Sequence, residues 1–489
     1  MNYVGTARPI HDAKGKATGY TKYAGDLSLP NMAYLCMLHS KIPHGYVKAV
    51  HAEKALALPG VYGVYHCLNT SERKYNRYRS SFDQAYLANE ERAFNQYVRF
   101  VGDKIGAVAA CDQETAEKAA RLVEAEYEEL PFSIGFDDTF AGKNCLDGET
   151  PVRDEYTLEV GKKQESTEGL IEVCSTMELP RLHHATMETH ACIADYDPYI
   201  DMLTVYCPNQ AVHGIRTVLA DFLEMPESHV RVVKATMGGS FGAKQEWFLE
   251  PVTALVAKKL CRPVKLVYSR GEAMTDTIVR GAMRMSTRGY YTPDGEMKKI
   301  YCDVTLDAGA YIGNAGDYVR ALAGKPTRCY RIPYMHYHGQ VISSNSPVSG
   351  AFRSWSAAEE ALMMERQLDA AAEKLGMDRL AIRLKNVARS GEEDKKLHLS
   401  LEDIRIGDAI TLGSEKFGWD KLKAEDAAFN ASQQRYRRGV GIGIGGHGNT
   451  YFPRFNDYGA GSISLNADGS MQANFTLHDH GCGTVTAMR

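Results

Sequence analysis

The sequence predicts an α+β, mixed α/β chain built from several domains. Three observations lead there. At 489 residues the chain exceeds what one hydrophobic core organises, so about two to four domains are expected. Along its length, β-branched runs alternate with runs of helical period. Glycine-rich stretches fall where a strand-like run meets a helix-like one. The plainest is MGGSFGAKQ (237–245), which follows HVRVVKAT (229–236) and precedes EWFLEPVTALVAKKL (246–260).

Composition excludes some classes. The chain is 44% hydrophobic and 24% charged, with a formal net charge of −4, which gives no pull toward nucleic acid or a membrane surface. No apolar run approaches the ~20 residues needed to span a bilayer. The opening MNYVGTARPIHDAKGKATG has no apolar signal core. The 11 cysteines are scattered and lack a CxxC, which fits a reducing cytoplasm better than a disulfide scaffold. Their spacing also argues against an iron–sulfur cluster or structural zinc held by this chain.

The elements follow in order. VGDKIGAVAAC (101–111) reads as a buried strand, DQETAEKAARL (112–122) as a helix capped by Asp112, and VEAEYEELP (123–131) as an alternating strand stopped by proline. Residues 1–131 are therefore expected to form one α/β domain, and the charged, glycine-containing stretch 132–168 a linker. A second domain is expected over 169–390. Within it, LTVYCPNQ (203–210) and HVRVVKAT are strands, and residues 283–312 form a hairpin turning at Pro293-Asp294-Gly295. SAAEEALMMERQLDAAAEKLG (356–376) is a helix opened by a Ser356/Glu359 capping box and closed by Gly376. A connecting segment (391–438) then precedes a glycine-rich start of a further domain (439–489).

Each motif has a plainer reading beside the chemical one. GIGIGGHG (441–448) contains GxGxxG, but no helix follows it, so a tightly packed glycine-rich strand is expected. HHATMETH (183–190) offers His183, His184, Glu188 and His190. Its spacing is not that of a metalloprotease, so hydrogen-bonded organising groups beneath a pocket are expected, with no metal ligand among them. MGGSFGAKQ lacks the GK[ST] of a P-loop, yet its glycines permit close backbone approach and its N–H groups can cradle an anion; the alternative is an ordinary tight turn. In SGAFRSWSAAEE (349–360), Arg353 can make a planar two-pronged contact and Trp355 can stack; the alternative is a surface arginine beside a core tryptophan.

The two loops occur in this order with PNQ (208–210) and the stretch around HHATMETH. Together they resemble the molybdenum-binding subunit of the xanthine dehydrogenase/aldehyde oxidase family. MGGSFGAKQ is similar to that family's GGGFGGK loop, and SGAFRSWSAAEE to its GAFRGFGxPQ loop. LDAAAEKLGMDRLAIRLKN (368–386) and the opening GTARPIHDAKGKATGYTKYAGDLSLPN also match family segments. The resemblance implies an N-terminal α/β hammerhead domain, then molybdopterin-binding domains, the last incomplete.

The resemblance also implies roles. Gly239, Phe241 and Gly242 would lie against a molybdenum–molybdopterin cofactor, whose nucleotide form (a cytosine dinucleotide among the choices) stays open. Gln210 would approach an oxygen on the metal, and Arg353 the pterin or substrate side. Arg320 matches a position carrying arginine in xanthine-oxidising members, so Arg320 and Arg353 would grip a purine from two sides. Gln245 and Trp355 complete the substrate-facing set. Gly481 and Gly483, in LHDHGCGTVTAMR (477–489), would begin the GQGxxT cofactor loop, with Cys482 where Gln is usual and, in the earlier loop, Ala243 where Gly is usual. The family's GxGE glutamate has no counterpart here. The implied partners are a chain carrying that C-terminal half, a [2Fe-2S] subunit and an FAD subunit. The implied reaction is hydroxylation of a purine carbon next to nitrogen, with nicotinate-like rings, aldehydes or a cofactor-free scaffold role as the other readings.

Overall fold

A computed structural model describes residues 5–78, 89–142, 146, 150–163, 166–432, 435–447, 459–476, 479 and 481–488. Two large sheets organise it. The first has seven strands in the order Val230–Lys234, Met202–Cys207, Ala191–Asp197, Val264–Val267, Ala33–His39, Lys104–Ala110, Val61–His66. The strand Lys104–Ala110 (KIGAVAA) is buried at every position. Its small side chains let the helix Gln113–Ala120 approach with Ala116 and Ala119 buried, and Asp112 caps that helix by accepting from the Thr115 N–H at 2.7 Å. The centre of this sheet joins distant parts of the chain: Ala33–His39 runs parallel to Val264–Val267, pairing Ala33 with Val264 and Leu35 with Leu266. The N-terminal segment and the segment around residues 191–267 thus share one sheet and one core.

The second sheet has five strands in the order Ile171–Leu179, Ala282–Tyr291, Met297–Gly309, Tyr334–Ser343, Val152–Gly161. The predicted hairpin is its centre, with Gly295 at φ +88° in the turn. The helix Ala357–Leu375 buries Met363, Met364, Leu368, Ala371 and Ala372 over this sheet and ends at Gly376, φ +64°.

Three expectations need correction. The linker expected over 132–168 contains the strand Val152–Gly161, which pairs along its length with Tyr334–Ser343. Its alternation was masked because an edge strand with one wet face carries many charges. The capping box at Ser356 and Glu359 does not form. Ser356 has φ +69° and its hydroxyl accepts from Lys325 Nζ, while Glu359 is buried against Arg280 and Tyr318. Tertiary partners have overridden the local motif. The glycine-rich stretch runs as irregular chain through residue 447, with Ile442 and Ile444 resting on the second core; residues 448–450 lie outside the described residues. The connecting segment folds as two helices, Ile406–Phe417 and Trp419–Ser432.

A buried ionic cluster ties the N-terminal segment to the rest. Arg77, Glu91, Lys104 and Asp276 are each at most 1% exposed. Arg77 Nη2 lies 2.6 Å from Glu91 Oε2, and Lys104 Nζ lies 3.4 Å from Glu91 and 3.7 Å from Asp276. Burial opposes ionisation of Asp276, but Lys104 and His39 hold its carboxyl below the ordinary range. Replacing Lys104 by Met leaves two buried carboxylates short of a cation. Denaturant unfolding should show a loss of about 3 kcal/mol or more, as for other broken buried pairs.

Candidate functional site

The loop at 235–249 leaves the strand Val230–Lys234 and enters the helix Glu250–Leu260. It is held from below by the histidine-rich segment. Glu188 accepts from the Gly238 N–H at 2.7 Å and pairs with Lys244 Nζ. His190 Nε2 donates to the Ala243 carbonyl at 3.0 Å, and His184 Nε2 donates to the Ala351 carbonyl at 2.8 Å. A carbonyl only accepts, so each Nε2 carries the proton. His183 turns away to Ala273 and Thr277. This stretch therefore organises two loops. Burial pushes His184 down to about 4 and His190 down to about 3, so both are neutral at pH 7.

The two glycine-patterned loops meet. The Arg353 N–H donates to the Phe241 carbonyl at 2.7 Å. Gly242, at φ +103°, lies so close to the second loop that a Cβ there would stand 2.4 Å from the Ala351 carbonyl oxygen. Gly239 has φ +99° and Phe241 φ +54°, and the Phe241 ring is 49% exposed beside the exposed Arg353. Gln210 joins them: its N–H donates to the Lys244 carbonyl at 2.8 Å, and its Oε1 accepts from the Ser240 hydroxyl at 2.7 Å. The N–H groups of Gly239, Ser240, Phe241 and Gly242 donate to no described residue. Four successive main-chain donors around an exposed aromatic ring fit a ligand rich in oxygen and ring-nitrogen acceptors, as a pterin cofactor is.

The second loop is gripped at alternate carbonyls. His184 holds Ala351, Arg280 Nη2 holds Arg353 at 2.7 Å, and Lys325 Nζ holds Trp355 at 2.6 Å. Arg280 also pairs with Glu359 and lies 4.3 Å over the Phe352 ring. The Trp355 indole packs edge-on against Tyr318 at 5.7 Å. Beneath both loops, Glu246 is 1% exposed and its Oε1 accepts from Asn314 Nδ2 at 3.2 Å and from the Ala351 N–H at 3.3 Å. Burial pushes its carboxyl up to about 8.

Not every expected residue joins this assembly. Arg320 is engaged in both its terminal nitrogens by Asp154, with Nη2 2.8 Å from Oδ1, and lies 5.6 Å from the Tyr156 ring. Its guanidinium is thus already paired with a carboxylate in this structure. The reason is the unanticipated strand Val152–Gly161, which supplies Asp154. Gln245 is half-buried and its N–H closes a turn onto the Gly242 carbonyl at 3.1 Å. The N–H groups of Gly481 and Gly483 are directed at Asp479 Oδ1, at 2.6 and 3.2 Å, so that loop cradles its own carboxylate. It sits near the first loop, because Lys234 Nζ donates to the Asp479 carbonyl at 3.2 Å. Glu246, Arg280 and Lys325 were missed from sequence. Glu246 follows Gln245 directly and was open to notice; Arg280 and Lys325 reach the loop only through tertiary folding.

A paired-loop platform of main-chain N–H groups without a described acceptor, an aromatic ring and an arginine, carried at the junction of two sheets, is of the kind that holds an organic cofactor. Comparison with known proteins agrees. Residues 18–131 match the profile for the aldehyde oxidase and xanthine dehydrogenase a/b hammerhead domain, and residues 149–387 and 412–489 match profiles for molybdopterin cofactor-binding domains. The chain is 29% identical to the xanthine dehydrogenase molybdenum-binding subunit of Escherichia coli O157:H7, over 97% of this chain and 63% of that one. It is 30% identical to the nicotinate dehydrogenase large molybdopterin subunit of Eubacterium barkeri, over 78% of this chain and 88% of that one. The fold matches quinoline 2-oxidoreductase from Pseudomonas putida 86 with a TM-score of 0.89 at 21% identity, covering 98% of this chain and 63% of that one. The chain belongs to the xanthine dehydrogenase/aldehyde oxidase family of molybdenum hydroxylases as a molybdenum-binding subunit. It spans about 63% of the length of the Escherichia coli xanthine dehydrogenase subunit.

Two outcomes follow for the loops. Gly242→Ala combines a disfavoured φ with a backbone clash, so it should cost about 2 kcal/mol or more in denaturant unfolding. The neutral histidines set an acid limit. Their folded pKa values lie below the unfolded value of ~6.5, so their contribution is present above that value and is lost as pH falls. Unfolding measured between pH 7 and 5 should lose about 2 kcal/mol per histidine, and His190→Gln should flatten that dependence.

Proposed function

We propose that the chain is the larger, N-terminal part of a molybdenum-cofactor-binding subunit that hydroxylates a ring carbon next to nitrogen in a purine such as xanthine. The observation that carries this is the joining of the two loops, which sets Arg353 beside Phe241 in a loop whose N–H groups at 239–242 donate to no described residue. Gly239, Phe241, Gly242 and Gln210 would hold the molybdenum–molybdopterin cofactor. When bound, that cofactor supplies the two-electron redox capacity of the reaction. The chain's own part is positional and electrostatic. The Arg353 guanidinium orients the ring and stabilises negative charge developing on it, and the Trp355 indole offers an aromatic surface. Gln245 offers an amide to the ring edge.

The rest of the cofactor-binding domain, with the family's catalytic glutamate, would lie outside these 489 residues, on a second polypeptide or further along the same one, and [2Fe-2S] and FAD subunits would take the electrons. The nicotinate dehydrogenase large molybdopterin subunit aligns with this chain over 88% of its own length. The described cysteines form no disulfide with one another, and a reducing cytoplasm is the expected setting. A nicotinate-like ring is the second reading. The engagement of Arg320 by Asp154 favours it, because a ring with one anionic group needs only Arg353.

The test uses the purified complex. Stoichiometric molybdenum and incorporation of water oxygen into xanthine are expected. Arg353→Met should lower kcat/KM about a hundredfold, equivalent to about 2.7 kcal/mol of transition-state stabilisation. Preferential turnover of nicotinate would move the assignment to the second reading. Absence of molybdenum would overturn both.

A further inference from the structure

The second loop contains an unusual run of backbone. Ser354, Trp355 and Ser356 have φ of +79°, +28° and +69°, three successive non-glycine residues in the left-handed region. Such residues visit that region singly and at a conformational cost, so a run of three persists only where the surroundings enforce it. The family pattern GAFRGFG places glycine at the first and third of these positions, where the cost vanishes. This chain has serine at both. Something here must replace what glycine would have given.

The surroundings identify it. Lys325 follows the helix Ala315–Ala323 and is 9% exposed. Its Nζ reaches the Trp355 carbonyl at 2.6 Å and the Ser356 hydroxyl at 2.7 Å, bridging the middle and the end of the run. The buried Glu360, one turn into the following helix, lies close to it. Release of the carbonyl would let the run relax toward φ below zero. Relaxed residues would extend the helix Ala357–Leu375 at its start and carry the indole off Tyr318.

We propose that Lys325 is a positioning residue: its ammonium locks Ser354–Trp355–Ser356 in the left-handed conformation and so fixes where the Trp355 indole faces the site. That the indole meets a substrate ring rests on the function proposed above; the lock itself does not. It acts through Trp355 and touches neither cofactor nor substrate.

Hydrogen exchange read peptide by peptide on the purified complex tests the lock without reference to turnover. In Lys325→Met, the peptide covering 350–360 should exchange at least tenfold faster, while the strand Lys104–Ala110 is unchanged. The Ser354 side chain makes no hydrogen bond among the described residues, so adding Ser354→Gly should bring that peptide back to within twofold of the starting protein, because glycine holds the turn unaided. No acceleration in Lys325→Met overturns the proposal. So does failure of Ser354→Gly to restore protection, since any merely structural loss would add rather than cancel. Acceleration that extends to Lys104–Ala110 marks global loosening and overturns it as well. If Lys325→Met does not yield folded protein, Lys325→Gln is read by the same criteria.

Discussion

The hydrogen bond from the Arg353 N–H to the Phe241 carbonyl is the contact on which the site depends. One partner sits on a loop rooted in the seven-stranded sheet, the other on a loop that runs from the five-stranded sheet into a long helix. Main-chain atoms make the bond, so its existence places few demands on side-chain identity. The demand falls on Gly242, where the backbones approach too closely for any Cβ. A side chain such as Arg353 can then be aimed by a rigid surface rather than by its own flexible stem.

Under this junction lies a polar layer that is mostly neutral. His184 and His190 are stripped of charge by burial, and Glu246 is pushed the same way. Neutral donors and acceptors fix carbonyls and amides without the desolvation cost of buried ions. The charged groups, Arg280 with Glu359 and Lys244 with Glu188, are paired at the flanks. Arg353, on the same loop as Ala351, is exposed, while the groups that hold that loop from beneath are largely neutral.

Much of this was legible in the sequence. The buried strand Lys104–Ala110, its capped helix and the hairpin turning at Gly295 follow local rules that the environment reinforces. The two loops were legible from their glycines, of which Gly239 and Gly242 sit at positive φ. What was hidden lay in tertiary contacts. Ser356 matches a cap by pattern, yet Lys325, thirty-one positions away in sequence, claims its hydroxyl. Asp154 reads as one charge in a polar stretch until the edge strand places it against Arg320. The histidine segment was read correctly as an organiser, but which carbonyls it would hold was beyond any pattern.

The shared seven-stranded sheet also constrains how the chain comes into being. The strand Ala33–His39 has Lys104–Ala110 on one side early, but its other edge stays open until Val264–Val267 exists. At synthesis rates of about 5–20 residues per second, that edge waits roughly 10–50 s as the chain emerges. An unpaired apolar strand edge is a template for wrong pairing. The nascent N-terminal third is thus an orphan half-sheet on the ribosome, and the interval before its partner strand arrives is when a chaperone has most to shield.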